Sequence, residues 1–192
     1  GYSLPTADGT DRQVIMTDGA GNLSFEDLDT IHTAAKNETG STIIKGMPVY
    51  QVGTFGNGML VAPADASDPA KMPAVGVLEQ DLNNGAEGFV IHLGQIQGVD
   101  TSAFSEGDVI YVAAGGGYTN VPPTGEGNLL QNLGRVTKVH ASNGSGVGMG
   151  AGRANAVPNL NDGNIFIGNA SNQATTASFA TTLTSGLNNN SI

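Results

Sequence analysis

Cysteine is absent from this chain. That removes disulfide staples and thiol chemistry and leaves packing or assembly as the source of stability. Basic residues are scarce: 7 Lys and Arg stand against 17 Asp and Glu, a formal net charge of -10. A surface that neutralises phosphates wants the opposite sign, so nucleic acid and anionic membrane are both poor partners. Charge of either sign is thin, at 12% of residues, where an average soluble domain carries about 25%. Asn, Thr, Ser, Gly and Ala must therefore cover much of the surface. No apolar run approaches the ~18 residues of a membrane-spanning helix, so membrane insertion is not expected. No signal-peptide pattern is visible. What the chain has in excess is glycine, 29 of 192 residues, roughly twice the usual ~7%. This is the profile of extracellular β-rich repeat or fibre proteins, not of a cytosolic enzyme.

Three parts follow from the pattern: 1–37, 38–153 and 154–192. The first opens with short strand-like runs punctuated by two Asp-Gly turns, Asp8-Gly9 and Asp18-Gly19. Glycine after aspartate supplies the positive φ of a tight turn. Each run holds few apolar side chains, and an isolated two-stranded ribbon is marginal in water. Such a segment is ordered when identical neighbours complete its core, which predicts an intertwined oligomer. Phe25, Leu28, Ile31 and Ala35 then recur three or four apart, with acids early and Lys36 late. That spacing predicts a short connecting helix, with a strand from Leu28 to Ala34 as the competing reading.

The middle part reads as a small all-β barrel or sandwich. Short Val- and Ile-rich runs alternate with turn residues every eight to twelve positions. Lys45-Gly46-Met47-Pro48-Val49-Tyr50 matches Glu106-Gly107-Asp108-Val109-Ile110-Tyr111, and each is followed by a Gly-rich turn. Each half closes on an apolar-Gly step, Val75-Gly76-Val77 and Leu133-Gly134-Arg135, and Glu87 to Ile96 supplies two strands joined at Gly94. The pattern predicts a duplication; chance recurrence of a common strand entry is the alternative. The last part repeats the opening device in Leu160-Asn161-Asp162-Gly163-Asn164-Ile165-Phe166-Ile167, then becomes almost uncharged. Its closing Leu187-Asn188-Asn189-Asn190-Ser191-Ile192 reads as continuing into a longer chain.

The run Leu4-Pro5-Thr6-Ala7-Asp8-Gly9, with Gln13-Val14-Ile15, Thr17-Asp18-Gly19 and Gly21-Asn22-Leu23-Ser24-Phe25, resembles a segment recurring in tail-fibre and other virion structural proteins of tailed bacteriophages, notably marine and cyanobacterial ones. Pro158-Asn159-Leu160 and Gly163-Asn164-Ile165-Phe166-Ile167-Gly168-Asn169 look like the repeat that begins further shaft segments in those proteins. The middle part is similar to small β domains of phage fibre and capsid-decoration proteins. The resemblance implies a parallel homotrimer in which a β bead is flanked by intertwined shaft segments. It implies a virion location, other fibre or baseplate proteins as partners, and a host-surface glycan or protein as a further contact. No catalytic residues come with it. Val14, Ile15, Leu23, Phe25, Leu160, Ile165 and Ile167 are the candidates for packing along the trimer axis. A capsid-decoration or head-fibre protein and a carbohydrate-binding adhesin module are the alternative classes.

Chemistry is sparse, and neither a cofactor nor an enzymatic activity is expected. His32, His92 and His140 are isolated, without the spacing of a zinc site. Ser105, His92 and Asp108 assemble a triad only on paper, with no nucleophile elbow to support it. Glu79 with Asp81, and Glu106 with Asp108, place acids two apart on one strand face, the beginning of a glycosidase pair; turn and edge solubility is the plainer account. Asn161-Asp162-Gly163-Asn164 is a turn that lacks the remaining oxygens of a calcium loop. Gly115-Gly116-Gly117 is a hairpin turn and not a phosphate cradle. Tyr50, Tyr111 and Tyr118 are offered to packing first and to sugar stacking second.

Overall fold

The computed structural model describes residues 3–9, 13–17, 20–27, 30–148, 154–155, 159–168, 170 and 174–180. The regular elements among them are strands and one 3-10 turn, Pro69–Lys71. Strands β1 (Gln13–Thr17) and β2 (Leu23–Asp27) form a two-stranded ribbon. Strands β3 (Ile31–Asn37), β4 (Pro48–Phe55), β5 (Gly58–Pro63), β6 (Gly76–Leu78) and β7 (Glu87–Leu93) close a barrel in the order β3-β5-β4-β6-β7. A second sheet, β10-β9-β11-β12-β8, contains β8 (Gln95–Val99), β9 (Val109–Val112), β10 (Tyr118–Thr119), β11 (Leu130–Lys138) and β12 (Gly144–Val147). Strand β13 (Ala154–Asn155) pairs with the start of β11, and β14 (Asn164–Gly168) with β15 (Ala174–Ser178) makes a second two-stranded ribbon. The fold is all-β with a closed barrel.

The helix expected around Phe25 to Lys36 is not formed. Phe25 lies in β2, and Ile31 and Ala35 lie in β3; Leu28 falls outside the described residues. A twelve-residue helix is marginal by itself. As a strand, the same stretch finds a ladder of partners on β7, from Ile31 opposite Leu93 to Lys36 opposite Glu87, and buries Ala35 completely. Tertiary pairing therefore overrides the three-four spacing.

The duplication is structural. In each half the middle strand of the motif pairs with its hairpin partner on one side and with the apolar-Gly strand on the other: β5-β4-β6 and β10-β9-β11. Val49 stands opposite Gly76 as Ile110 stands opposite Gly134, and Pro48–Val77 is matched by Val109–Arg135. Further round, Leu78–Val90 is matched by Val136–Gly146, and Thr33–Val90 by Ile96–Gly146. The turn bonds repeat as well. Gly46 N–H donates to Leu78 O and Gly107 N–H to Val136 O, both at 2.8 Å. Gly46 and Gly107 have φ of 81 and 86°, a region that side-chain-bearing residues rarely adopt, which is why glycine stands at both places.

The two units differ in closure. In the first, the six-residue β5 reaches β3 and pairs with it in parallel. In the second, the equivalent β10 has two residues, so the sheet stays open between β8 and β10. Adjacent strand residues point to opposite faces, and that alternation assigns the two cores. Leu78 and Val90 join Ala35, Ile43, Val49, Val61 and Leu82 inside the barrel. Their neighbours Val77 and Ile91 point outward and join Ile96, Ile110, Val112, Leu133 and Val136 of the second unit. The outer face of the barrel thus completes the interior of the open unit.

Three buried polar side chains fasten the loops. Asn37 donates from Nδ2 to Leu82 O and Ser41 O, both at 2.7 Å. Thr101, at the corresponding place in the second unit, donates from Oγ1 to Lys138 O at 2.8 Å and accepts from His140 N–H at 3.0 Å. Gln131 clamps both polar groups of Ala74 at 2.7 Å, tying β11 to the first unit. Satisfied in this way, buried amides and hydroxyls hold geometry without a desolvation penalty left over.

Candidate functional site

The structure disperses the residues from which chemistry was assembled on paper. His92 engages Val75 O through Nδ1 at 2.7 Å and Thr33 Oγ1 through Nε2 at 3.0 Å, so neither ring nitrogen faces Ser105 or Asp108. Ser105 N–H and Asn120 Nδ2 both donate to Asp108, at 2.9 and 2.8 Å, which makes the aspartate a turn cap. Those bonds, the Ser105 one foremost, hold its carboxyl below the usual aspartate range. His140 accepts the N–H groups of Ser142 and Asn143 on Nδ1, at 3.0 and 2.9 Å. Among the described residues no three His, Asp or Glu side chains gather as metal ligands.

The acid pairs do not share a strand face, because they lie in turns and not in strands. Glu79 binds His32, with Oε2 3.1 Å from Nδ1, while Asp81 accepts Lys45 N–H at 2.7 Å. In the Asn161–Asn164 turn, the amides of both asparagines donate to Glu126, at 2.6 and 2.8 Å. Those two amides are thus spent on a carboxylate. Gly115, Gly116 and Gly117 close the β9–β10 hairpin with φ of 85, 92 and 81°, a run that no side-chain-bearing residue follows without strain. Tyr50 and Tyr118 pack against the second core. Tyr118 also meets Phe104, with ring centroids 5.8 Å apart, and its hydroxyl donates to Asp100 O. Burial, with Asp100 nearby, pushes that phenol upward. Tyr111 is half-buried in β9.

A cavity of about 30 Å³ lies along the seam between the units, lined by Gly46 and Val77 from the barrel and by Ile96, Phe104, Tyr118 and Val136 from the open unit. Apolar walls and this size mark a packing void rather than a substrate pocket.

The axis candidates fall on the two ribbons. In β1–β2, Ile15 stands opposite Phe25 and Thr17 opposite Leu23, which puts Ile15, Leu23 and Phe25 on one face; Val14, opposite Glu26, is on the other. Ile15 is 50% exposed and Met16 51%, whereas Val14, Leu23 and Phe25 are half-buried. A Cβ on Gly9 would lie 2.6 Å from the Phe25 ring, so the 3–9 segment covers that side chain closely. In β14–β15, Ile165 opposite Ala177 and Ile167 opposite Thr175 share a face, with Phe166 on the reverse. Ile165 and Ile167 are half-buried, and Leu160, Phe166 and Phe179 are exposed. Among the described residues neither ribbon contributes to the two hydrophobic cores, and a two-stranded ribbon by itself is marginal in water.

One surface escapes the sequence reading. Ile31 and Leu93 stand opposite each other on the barrel exterior, 62 and 57% exposed. Beside them His32 stacks on Phe89 with centroids 4.4 Å apart and planes inclined by 20°. The only hint was the alternation of β7, where Phe89 and Leu93 share a parity with the buried Ile91. The helical reading of Ile31 concealed it.

No helix among the described residues is long and apolar enough to cross a membrane. Comparison with protein-family models, with curated proteins and with solved structures gives no match.

Proposed function

We propose that this chain is a non-enzymatic structural segment of a homotrimeric tail fibre on a tailed bacteriophage. In this reading the two-unit β bead sits between shaft segments built from the β1–β2 and β14–β15 ribbons of three chains. Its location is the virion, its partners are sister copies and other fibre or baseplate proteins, with a host-surface glycan or protein as a further contact, and the bead serves as spacer, clamp or host-facing surface. The observation that carries the reading is the contrast between bead and ends. The bead has two cores, to which no ribbon residue contributes, and Ile15, Met16 and Phe166 of the ribbons are 36 to 51% exposed. Exposed apolar faces of that kind gain burial when another chain packs on them. Closing strand ladders between copies also removes the free edges that otherwise aggregate.

The deciding measurement is the mass in solution. Three copies of the 19.4 kDa chain give roughly 58 kDa. Ile15→Asp or Ile165→Asp buries a charge along the shared line and should abolish that species, because an unpaired buried carboxylate costs several kcal/mol, on the order of 3–5. A wild-type mass of 19.4 kDa, or aspartate variants that still form the larger species, would refute the reading.

A further inference from the structure

We infer that the turn ahead of the C-terminal ribbon and the loop between β10 and β11 form a stiff joint that sets the direction in which the ribbon leaves the bead. The pieces come from the two sides of the junction. On the bead side, the loop is anchored by Leu129 N–H to Ala66 O at 2.8 Å and closed by Asn128 N–H to Gly125 O at 3.0 Å. On the ribbon side, Asn159 pairs its backbone with that loop in both directions: its N–H donates to Asn128 O at 3.1 Å, and its carbonyl accepts from Gly127 N–H at 3.3 Å. The Asn159 amide reaches further in, donating to Pro123 O at 2.6 Å and Gly125 O at 3.3 Å.

Glu126 completes the clasp. One oxygen of its carboxylate accepts from Asn161 Nδ2 at 2.6 Å and the other from Asn164 Nδ2 at 2.8 Å. These two asparagines flank the Asp162-Gly163 turn, which Asn164 N–H to Asn161 O closes at 3.1 Å, and Asn164 is the first residue of β14. One rigid planar group therefore holds both sides of the turn from which the strand springs. Hydrogen bonds to an ionised acceptor are shorter and stronger than neutral ones, and two on one carboxylate fix an orientation where one alone would allow a swivel.

The bonds are solvent-exposed, so their contribution to overall stability is small while their effect on direction is large. That difference separates a joint from a merely structural contact. The joint lies within a single chain, so it stands or falls separately from the fibre reading. Because the chain lacks cysteine, a pair introduced as Ala114→Cys on the bead and Thr175→Cys on the ribbon takes spin labels at those sites alone. Labelled chain diluted into unlabelled chain then reports the intrachain bead-to-ribbon distance. The expected result is one narrow distribution, whose width at least doubles in Glu126→Ala and again in the Asn161→Ala/Asn164→Ala double variant, with the melting temperature unchanged. Equal widths in all three proteins, or a broad distribution before any substitution at the clasp, would overturn the inference. A fall in melting temperature that matched the broadening in both variants would also overturn it, by making the clasp a stability element instead of a joint.

Discussion

Ile91 offers the sharpest test of how the two units share a core. It is 1% exposed and points out of the barrel into the second unit's interior, while its neighbour Val90 points into the barrel. Ile91→Ala removes three buried carbons, which at about 0.8 kcal/mol each is about 2.4 kcal/mol of transfer free energy. The space left behind raises the cost to roughly 3–4 kcal/mol, within the range of large-to-small core changes. A typical domain has only about 5–15 kcal/mol of stability, so the loss is large. Its location matters more than its size. Hydrogen exchange should show protection falling at Ile110, Val112, Leu133 and Val136 in the open unit, with Val49, Val61 and Val90 in the barrel little changed. Leu78→Ala removes a side chain buried inside the barrel and should lower protection in both units, because the open unit leans on the closed one. Equal loss in the two units from Ile91→Ala, or a denaturation cost under about 1 kcal/mol, would refute the division of the cores.

Two further tests address closure and acid stability. A Cβ on Gly76 would run into the carbonyl oxygen of Ile91 and, at 2.5 Å, a methyl of Val90. Gly76→Ala should therefore part β6 from β7 and cost about 3 kcal/mol or more, read as a shifted denaturation midpoint; a neutral variant would mean that the two strands sit further apart. Asp65 accepts from Ser67 and from Gly115 N–H across the seam, and the Ser67 hydroxyl foremost holds its carboxyl below the usual range. Asp100, through Ser102, and Asp108, through Ser105, are shifted the same way. A carboxylate with a lowered folded pKa stabilises fully above the ordinary aspartate value near ~3.9 and loses that contribution as pH falls through its folded value. Stability should stay level toward pH 5 and drop below about pH 4, and Asp65→Asn should make that drop shallower; an unchanged acid slope would remove Asp65 from the account.

What the sequence disclosed is what short-range chemistry controls. Val109-Ile110-Tyr111-Val112 alternates half-buried and buried positions along β9, as its β-branched and aromatic side chains demand. Gly94 separates β7 from β8, and the glycine run at 115–117 closes a hairpin, because turn geometry is written in the residues that make the turn. The internal repeat was readable down to its glycines. What stayed hidden depends on partners distant in sequence. Ile31 to Lys36 carries apolar spacing compatible with a helix, and only the presence of β7 decides for a strand. Gln131 offers nothing in its own neighbourhood to announce that it clamps Ala74, 57 residues away. The pairs Glu79–Asp81 and Glu106–Asp108 were placed on strand faces by counting, and counting fails once a turn intervenes. The ribbon face of Ile15, Leu23 and Phe25 follows from period two, but Val14 was grouped with it although neighbouring residues in a strand face opposite ways.

The internal repeat also bears on how the ends behave. Two copies of one five-strand plan sit in the chain, and the copy with the shorter β10 leaves its interior open, to be filled by Val77 and Ile91 of the other. An incomplete β layer in this protein is therefore stabilised by the outer face of a related element, with no helix or disulfide involved. The ribbons present the same problem with fewer strands. Each offers one alternating apolar face, Ile15 with Phe25 and Ile165 with Ala177, and too few residues to fold over itself. On the barrel exterior the Ile31–Leu93 rung is a further exposed apolar pair. Within the bead, a neighbouring unit of the same chain provides the missing layer. In the proposed fibre, sister chains would be the elements of matching alternation and charge, so assembly of copies would extend a packing solution that the single chain already uses.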